Sequence, residues 1–445
     1  MAARQDPSVQ HVHHLPAGQP LLLNGSRALS QGVGRYRQDD VGISIAPLVN
    51  VNSMAPVITA PSTPPLTASA DPTAPPVIES PEGARVTIGG RQYDWFRGNS
   101  YLGLQAHPDV LRAACEATLR YGLKLRDHRR VGCHPCVLEW ERAANSFFDC
   151  EAAVLLGSGY AGGAVMAAAL GDDFDVAFVD EQSHANVWDG LAAAGVRVIS
   201  FPHRDPEGLA AVLSTDLGAR QRPLVVSDGI FPITGALAPV PDYEVVLQPY
   251  DGALLCLDDA HAYGVLGPDG RGTSDHFGLK GARRFSYGTM SKAFGGAGGV
   301  IPGSAELRGR IERRSAAYRS TTKAPPGIVA AGARALEIAR TQPGLRTRLA
   351  AHVARVRSAL RSMGMPLDDG PAPIICVDAR SRLDFASIAR RLFDEENIAV
   401  LHMPGGYGNV PAGGCLVFTL SALHDEKQIE RLVDAFAPSD IADAT

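Results

Sequence analysis

Between residues 152 and 304 the chain repeats one pattern: a short apolar run, a turn, then a stretch of helical periodicity. The apolar runs predict strands over 153–156, 176–179, 196–201, 224–227, 253–257 and 284–287. Strands apolar on both faces and separated by helices predict a mostly parallel sheet covered on both sides, an α/β architecture. Two amphipathic helices are predicted upstream, over 108–121 and 135–148. Each opens on a proline, and the first stops at Gly122. Before them, 84–88 and 91–96 flank Gly89-Gly90 and predict a hairpin. Downstream, helices are expected over 306–318, 326–341 and 345–363. A smaller α+β part follows, with strands near 373–377, 399–401 and 415–420 and helices over 385–395 and 425–436.

This reading divides the chain into a Pro-rich leader (1–82), an N-terminal segment of hairpin and helix (83–135), a large domain (136–340) and a small C-terminal domain (341–445). Val51 to Pro81 is dense in Pro, Ala, Ser and Thr and lacks the periodicity to bury a core, so the leader is expected to be disordered. His11, His13 and His14 have no carboxylate or cysteine cluster beside them and read as a solvated tail, so no metal is expected.

Composition narrows the function classes. A net charge of -5 gives no basic footprint for nucleic acid. No apolar run approaches the ~20 residues of a membrane span. The first twenty residues are polar and lack the apolar core of a signal peptide. Seven scattered cysteines, an odd number, fit reduced thiols and a cytoplasmic location better than a disulfide framework.

The chemistry concentrates in two segments. Asp258-Asp259-Ala260-His261 closes an apolar run, and Lys292 follows inside Thr289-Met290-Ser291-Lys292-Ala293-Phe294-Gly295-Gly296. An acid and a histidine at a strand end, then a lysine in a Ser/Thr/Gly turn, make the constellation of a pyridoxal-phosphate (PLP) enzyme. The lysine can form a Schiff base, and the aspartate can keep the pyridine nitrogen protonated. A metal site on Asp258, Asp259 and His261 is the weaker reading, because further ligands are missing and Lys292 lies downstream. Gly157-Ser158-Gly159-Tyr160-Ala161-Gly162 is a strand end, a Gly-rich turn and a helix start, where free N–H groups suit a phosphate.

In this order the motifs resemble those of the α-oxoamine synthases, fold type I PLP enzymes, from about Asn99 to Asp434. Asn99-Ser100-Tyr101-Leu102-Gly103-Leu104 is similar to the family's N-D-Y-L-G-L. Gly157 to Gly162 is similar to S-G-Y/F-x-A-N, and Asp180-Glu181-Gln182-Ser183-His184-Ala185-Asn186 to D-x-x-x-H-A-S. Asp228-Gly229-Ile230-Phe231-Pro232 to Pro239 resembles E/D-G-V-F-S-M-D-G-x-x-A-P, and Thr289 to Gly295 resembles T-x-S-K-A-x-G.

The resemblance implies a large PLP domain and a small C-terminal α+β domain, with PLP as cofactor. It implies that Lys292 is the Schiff-base lysine, that Asp258 faces the pyridine nitrogen, and that His261 contacts the phenolic oxygen. His184 would stack on the ring. The amides of Gly159 and Tyr160, with Thr289 and Ser291, would hold the phosphate. Asn99 would lie near the substrate. Asp259 faces the other side of its strand and is expected to be structural; His203 and His276 are expected at the surface. Tyr318 to Pro326 is similar to Y-S-T-S-x-P-P, which implies a two-fold homodimer in which Thr322 reaches the partner's phosphate.

Three departures stand out. Pro232 replaces a serine that donates toward the phenolic oxygen, and Thr234 is the nearest substitute. Cys415 and Val417 occupy the basic positions of a family strand read as R-L-R-I-S/T-L, whose arginine clamps the amino-acid carboxylate. Arg126, Arg129 and Arg130 add basic charge where the family has a small Gly/Ser-rich stretch, and are candidates for a substrate carboxylate or a CoA phosphate; a solvated loop is the alternative. Cys133 and Cys136 have redox-motif spacing without the surrounding context.

The function implied is a biosynthetic PLP-dependent acyltransferase. It would condense a small-molecule amino acid with an acyl thioester, from CoA or a carrier protein, and lose carbon dioxide to leave an α-amino ketone. The alternatives are an aminotransferase or decarboxylase on the same scaffold, which the missing strand arginine favours, and a non-catalytic protein that has kept the fold.

Overall fold

The computed structural model of the protein describes residues 76–125, 127–128, 132–381, 383–406 and 410–436. β1 (Arg85–Ile88) and β2 (Arg91–Trp95) pair antiparallel around Gly89-Gly90. Both glycines hold positive φ, 56° and 75°, which the tight turn requires. Pairing starts before the expected boundary at Gly83: Ile78 bridges Ile88, and Glu79 N–H donates to Thr87 O at 2.8 Å. Residues 1–75 of the expected leader, with its histidines, lie outside the described residues. Helices Pro108–Tyr121 and Pro135–Phe148 have the expected bounds. Between them lies a minimal hairpin of β3 (Asp127–His128) and β4 (Gly132–Cys133).

The large sheet is built from β5 (Ala152–Leu156), β6 (Val176–Asp180), β7 (Arg197–Phe201), β8 (Pro223–Asp228), β9 (Leu254–Asp258), β10 (Arg284–Thr289) and β11 (Gly299–Gly303). Its spatial order is β5-β11-β10-β9-β8-β6-β7. Only β11 runs antiparallel to its neighbours. Every residue of β5, β6, β8 and β9 is buried, as apolar runs covered on both faces require. Alternate residues feed two cores. Phe178 and Val225 pack with Tyr243 on one side, Val179 and Val226 with Val165 and Leu191 on the other.

β11 is absent from the sequence prediction because glycines and Pro302 dilute its apolar run. Its first glycine answers to packing: a Cβ on Gly299 would lie 2.8 Å from the Cα of Gly159. The helix expected over 306–318 breaks into Ala305–Arg314 and Ala316–Ser320. Ser315 makes the break, its hydroxyl accepting Tyr318 N–H at 3.1 Å as an N-cap.

After helices Pro326–Thr341 and Gly344–Ser362 come β12 (Ile374–Asp378), β13 (Ile398–Ala399), β14 (Leu401–Met403) and β15 (Cys415–Thr419). β12, β15 and β14 form an antiparallel sheet in that order. β13 instead pairs parallel with β2, so the one strand expected over 399–401 serves two sheets. No helix among the described residues is long and apolar enough to cross a membrane.

Candidate active site

A cavity of about 330 Å³ opens at the C-terminal ends of the central strands, where open α/β sheets place their ligands. Five chain segments reach it, each leaving the sheet at or near a strand end: Gly157–Tyr160 after β5, His184 and Asn186 beyond β6, Asp228 ending β8, Asp258 ending β9, and Thr289 to Lys292 leaving β10.

One end of the cavity is rich in small polar groups. Ser158 Oγ accepts Tyr160 N–H at 3.2 Å and so caps the 3₁₀ turn Gly159–Ala161 that leads into helix Gly162–Leu170. Thr289 Oγ1 and Ser291 Oγ are 2.8 Å apart, and Thr289 Oγ1 also donates to Gly298 O at 3.0 Å. A Cβ on Gly159 would lie 2.7 Å from Thr289 Cβ, so glycine there lets the turn and the hydroxyls share one end of the cavity.

The other groups are ionisable. Asp228 and Asp258 stand side by side in the parallel register of β8 and β9. Asp258 Oδ1 accepts Ala260 N–H and Oδ2 accepts Asn186 Nδ2–H, each at 2.9 Å. Asp228 Oδ1 accepts His184 N–H at 3.1 Å. Burial, with the neighbouring charge of Asp258, pushes the Asp228 carboxyl well above the usual carboxylate range. Burial also pulls the Lys292 ammonium below its ordinary value, and Asp258 and Asp228 oppose that shift.

His261 is pushed well below its usual value by burial, with Lys292 and His184 adding, and is neutral. Tyr101 O–H lies 2.7 Å from His261 Nδ1. Burial pushes the Tyr101 phenol up, so it keeps its proton; buried with His261 Nδ1 as its hydrogen-bond partner, the hydroxyl is satisfied by donating there, which leaves His261 Nε2–H as a donor. Tyr160 packs its ring edge-on to His184, and its hydroxyl donates to Asp189 Oδ2.

This donor set fits PLP. Paired carboxylates and a lysine crowd a buried space, an arrangement that a cationic pyridinium relieves. The hydroxyls of Thr289 and Ser291 suit a phosphate at the glycine-rich end.

The structure therefore brings Lys292, Asp258, His184, His261, Gly159, Tyr160, Thr289 and Ser291 together. Asn99 is exposed and outside the lining, two residues from Tyr101. Thr322 is exposed and does not line its own chain's cavity, although its carbonyl oxygen lies 2.7 Å from where a Cβ on Gly157 would sit. Arg126, Arg129 and Arg130 lie outside the described residues. Asp259 is buried away from the cavity, accepting Thr273 N–H at 3.1 Å and Thr273 O–H at 2.6 Å.

Two expectations need correcting. His203 is not a free surface residue: Nδ1 lies 2.9 Å from the buried Asp180 carboxylate, and its ring packs on Phe231. Thr234 does not take over from the missing serine in the cavity wall; its Oγ1 accepts Ala236 N–H at 3.3 Å within the turn, while Pro232 lines the cavity. Ile233 between them holds φ 34°, a left-handed conformation costly for a β-branched residue.

Sequence reasoning missed Asp228, Asn186 and Tyr101 as site residues. Asp228 carried a signal, an acid ending an apolar run just as Asp258 does. Tyr101 carried none, because its contact to His261 spans 160 positions. Away from the cavity, Cys415 and Val417 on β15 are buried, and Val417 faces Cys376 across the ladder.

Known proteins resemble this chain in sequence and fold. The family model described as aminotransferase class I and II matches residues 95–436. The 8-amino-7-oxononanoate synthase of Geobacter sulfurreducens is 36% identical over 367 residues, covering 81% of this chain and 92% of the relative. That of Methylococcus capsulatus is 36% identical over 368 residues, with 81% and 92% covered. Among solved structures, serine palmitoyltransferase from Sphingomonas wittichii superposes with a TM-score of 0.74 at 25% identity, covering 83% of this chain and 92% of the other.

Proposed function

The chain belongs to the α-oxoamine synthases, within the class I and II aminotransferase family, and from that membership we propose how its cavity works. The protein is a PLP-dependent acyltransferase that condenses an amino acid with an acyl thioester. When bound, PLP supplies an aldehyde for amines and a ring that spreads negative charge from the substrate Cα.

The chain's own residues do the rest. Lys292 Nζ, with its ammonium destabilised by burial, is the amine that holds the cofactor and then takes and returns the proton at the substrate Cα. Asp258, kept oriented by Ala260 and Asn186, holds the proton on the ring nitrogen. His261 offers Nε2–H to the phenolic oxygen, with Tyr101 setting its tautomer. His184 covers one face and keeps water from it. The amide of Gly159, with Thr289 and Ser291, holds the phosphate; Tyr160 N–H shares that role with its bond to Ser158.

The reaction then loses carbon dioxide and yields an α-amino ketone. Val417 and Cys415 leave β15 without an arginine for the amino-acid carboxylate, so that group is held from another segment, for which Asn99, Arg126, Arg129 and Arg130 are the candidates. Two copies assemble about a two-fold axis, bringing the exposed Thr322 of each to the other's phosphate.

The observation that carries this reading is Lys292 beside the paired strand-end carboxylates Asp228 and Asp258 in one buried cavity. The test is to supply amino acids and acyl-CoA thioesters to the PLP-loaded protein and follow free thiol and carbon dioxide. Both should appear together and vanish in Lys292→Ala. Conversion to pyridoxamine by amino acid alone, without thiol release, would replace this reading with transamination.

A further inference from the structure

Asn186 stands where the family motif has a serine, and its side chain touches two of the site's working groups at once. Its Nδ2 donates to Asp258 Oδ2 at 2.9 Å and lies 3.4 Å from Tyr287 O–H. Its Oδ1 lies 3.0 Å from His184 Nδ1. The residue is 3% exposed, so neither end has water as an alternative partner.

The chemistry of these neighbours leaves one arrangement. Asp258 Oδ2 accepts from the amide end that faces it, so that end is the NH₂ group. The amide oxygen must then face His184. An oxygen only accepts, so the facing Nδ1 must carry a proton. In the neutral imidazole that leaves Nε2 as a bare lone pair. The hydrogen bonds of His184 run through its N–H and its Nδ1, and its ring lines the cavity. A competing contact would dictate the opposite: Asn186 N–H points at the same Nδ1 from 3.3 Å and could be accepted only if Nδ1 were unprotonated. The side-chain contact is shorter and is backed by the carboxylate behind it.

We infer that Asn186 is a positioning residue whose amide, oriented by its bond to Asp258, holds His184 as the Nδ1–H tautomer so that Nε2 can accept a proton inside the cavity. His184 is then a proton acceptor as well as a cover for one face. The neighbouring His261 is held by Tyr101 in the opposite tautomer, as an Nε2–H donor. One cavity thus contains a histidine donor and a histidine acceptor, each set from behind. This inference rests on the proposed roles of Asp258 and His184 in the PLP site.

The test is ¹⁵N NMR of the histidine rings in the full-length, PLP-loaded protein, with the His184 signals assigned by their loss in His184→Gln. Wild-type protein should show His184 as Nδ1–H. Asn186→Asp keeps an acceptor against Nδ1 and should retain that tautomer. Asn186→Leu removes the side-chain acceptor, leaves the backbone N–H at 3.3 Å as the partner, and should switch His184 to Nε2–H. In the same variant kcat should fall while KM for the thioester holds. Wild-type His184 as Nε2–H, or an unchanged tautomer in Asn186→Leu, would overturn the inference. The wild-type tautomer is read without Asn186→Leu and needs only the His184→Gln assignment. The underlying site assignment fails separately, if the visible absorbance of bound PLP persists unchanged in Lys292→Ala.

Discussion

Two clusters of buried polar groups differ in how fully the protein satisfies them. In the first, where the N-terminal hairpin meets the C-terminal helix Glu426–Asp434, Asp94 and His424 each have several partners. Asp94 accepts from Arg85 Nε at 3.0 Å, from Gln428 Nε2 at 2.7 Å and from Arg431. His424 Nδ1 accepts Ser421 N–H at 3.0 Å, its Nε2–H donates to Trp95 O at 3.0 Å, and its ring stacks on Phe96 at 4.2 Å. In the second, around the cavity, two carboxyl groups adjoin and a half-buried lysine is pulled below its ordinary pKa. Buried polar groups that complete one another hold a fold together; those left incomplete are prepared for something that arrives later.

The largest expected effect separates the two clusters outright. Lys292→Ala should lower turnover by on the order of a thousandfold or more, since the amine and the proton carrier go together. Its urea midpoint should match or exceed wild type, because a buried cation is removed. A cooperative loss of stability would place Lys292 in the structural class instead. The lowered pKa of Lys292 also has a kinetic signature. The rate at which apoprotein captures PLP should rise with pH, with a midpoint below that of an ordinary lysine.

The first cluster should respond to acid. His424 is lowered from 6.5 to about 4 by burial, so between those values the unfolded chain binds more protons than the folded one. Its contribution is complete above pH 6.5 and is lost as pH falls toward 4, amounting to about 3 kcal/mol. Urea midpoints measured across that window should fall less steeply in His424→Gln than in wild type.

Asp94→Ala comes next. Its arginine partners are about half exposed, so the loss should be about 2 kcal/mol rather than that of a fully buried pair. Chemical denaturation measures it, and PLP affinity should not change. A change in PLP affinity without a change in stability would erase the distinction between the clusters. The smallest effect is expected at the cavity wall. Pro232→Ser restores one donor and should tighten PLP binding by about 1 kcal/mol, a few-fold to tenfold in Kd. A titration of apoprotein reads it directly.

The site was legible in the sequence wherever a functional residue ended a periodic element. Asp258 and Lys292 stood out because an acid after an apolar run and a lysine in a Gly/Ser/Thr turn break the local pattern. Asp228 obeyed the same rule, yet its significance comes from its neighbour in the ladder rather than from its own surroundings. Asn186 and Tyr101 were illegible as site residues because each acts through a partner far along the chain, Asp258 at 72 positions and His261 at 160.

Elements divide in the same way. The helices Pro108–Tyr121 and Pro326–Thr341 carry their own start signals and fall where the sequence places them. β11 is held by neighbours on both sides despite a weak local pattern, and 398–403 is divided between two sheets by partners that no local window contains.

Residue order alone carried the alternation of buried strands and helices, the family with its PLP cofactor, and the absence of basic residues at Cys415 and Val417. These follow from residue type and short-range spacing. The folded chain added which carboxylates adjoin, which groups face each nitrogen of the cavity histidines, and which buried polar groups are satisfied. Each of those depends on distances of about 3 Å between groups far apart in the chain, distances that only parallel register and packed helices can set.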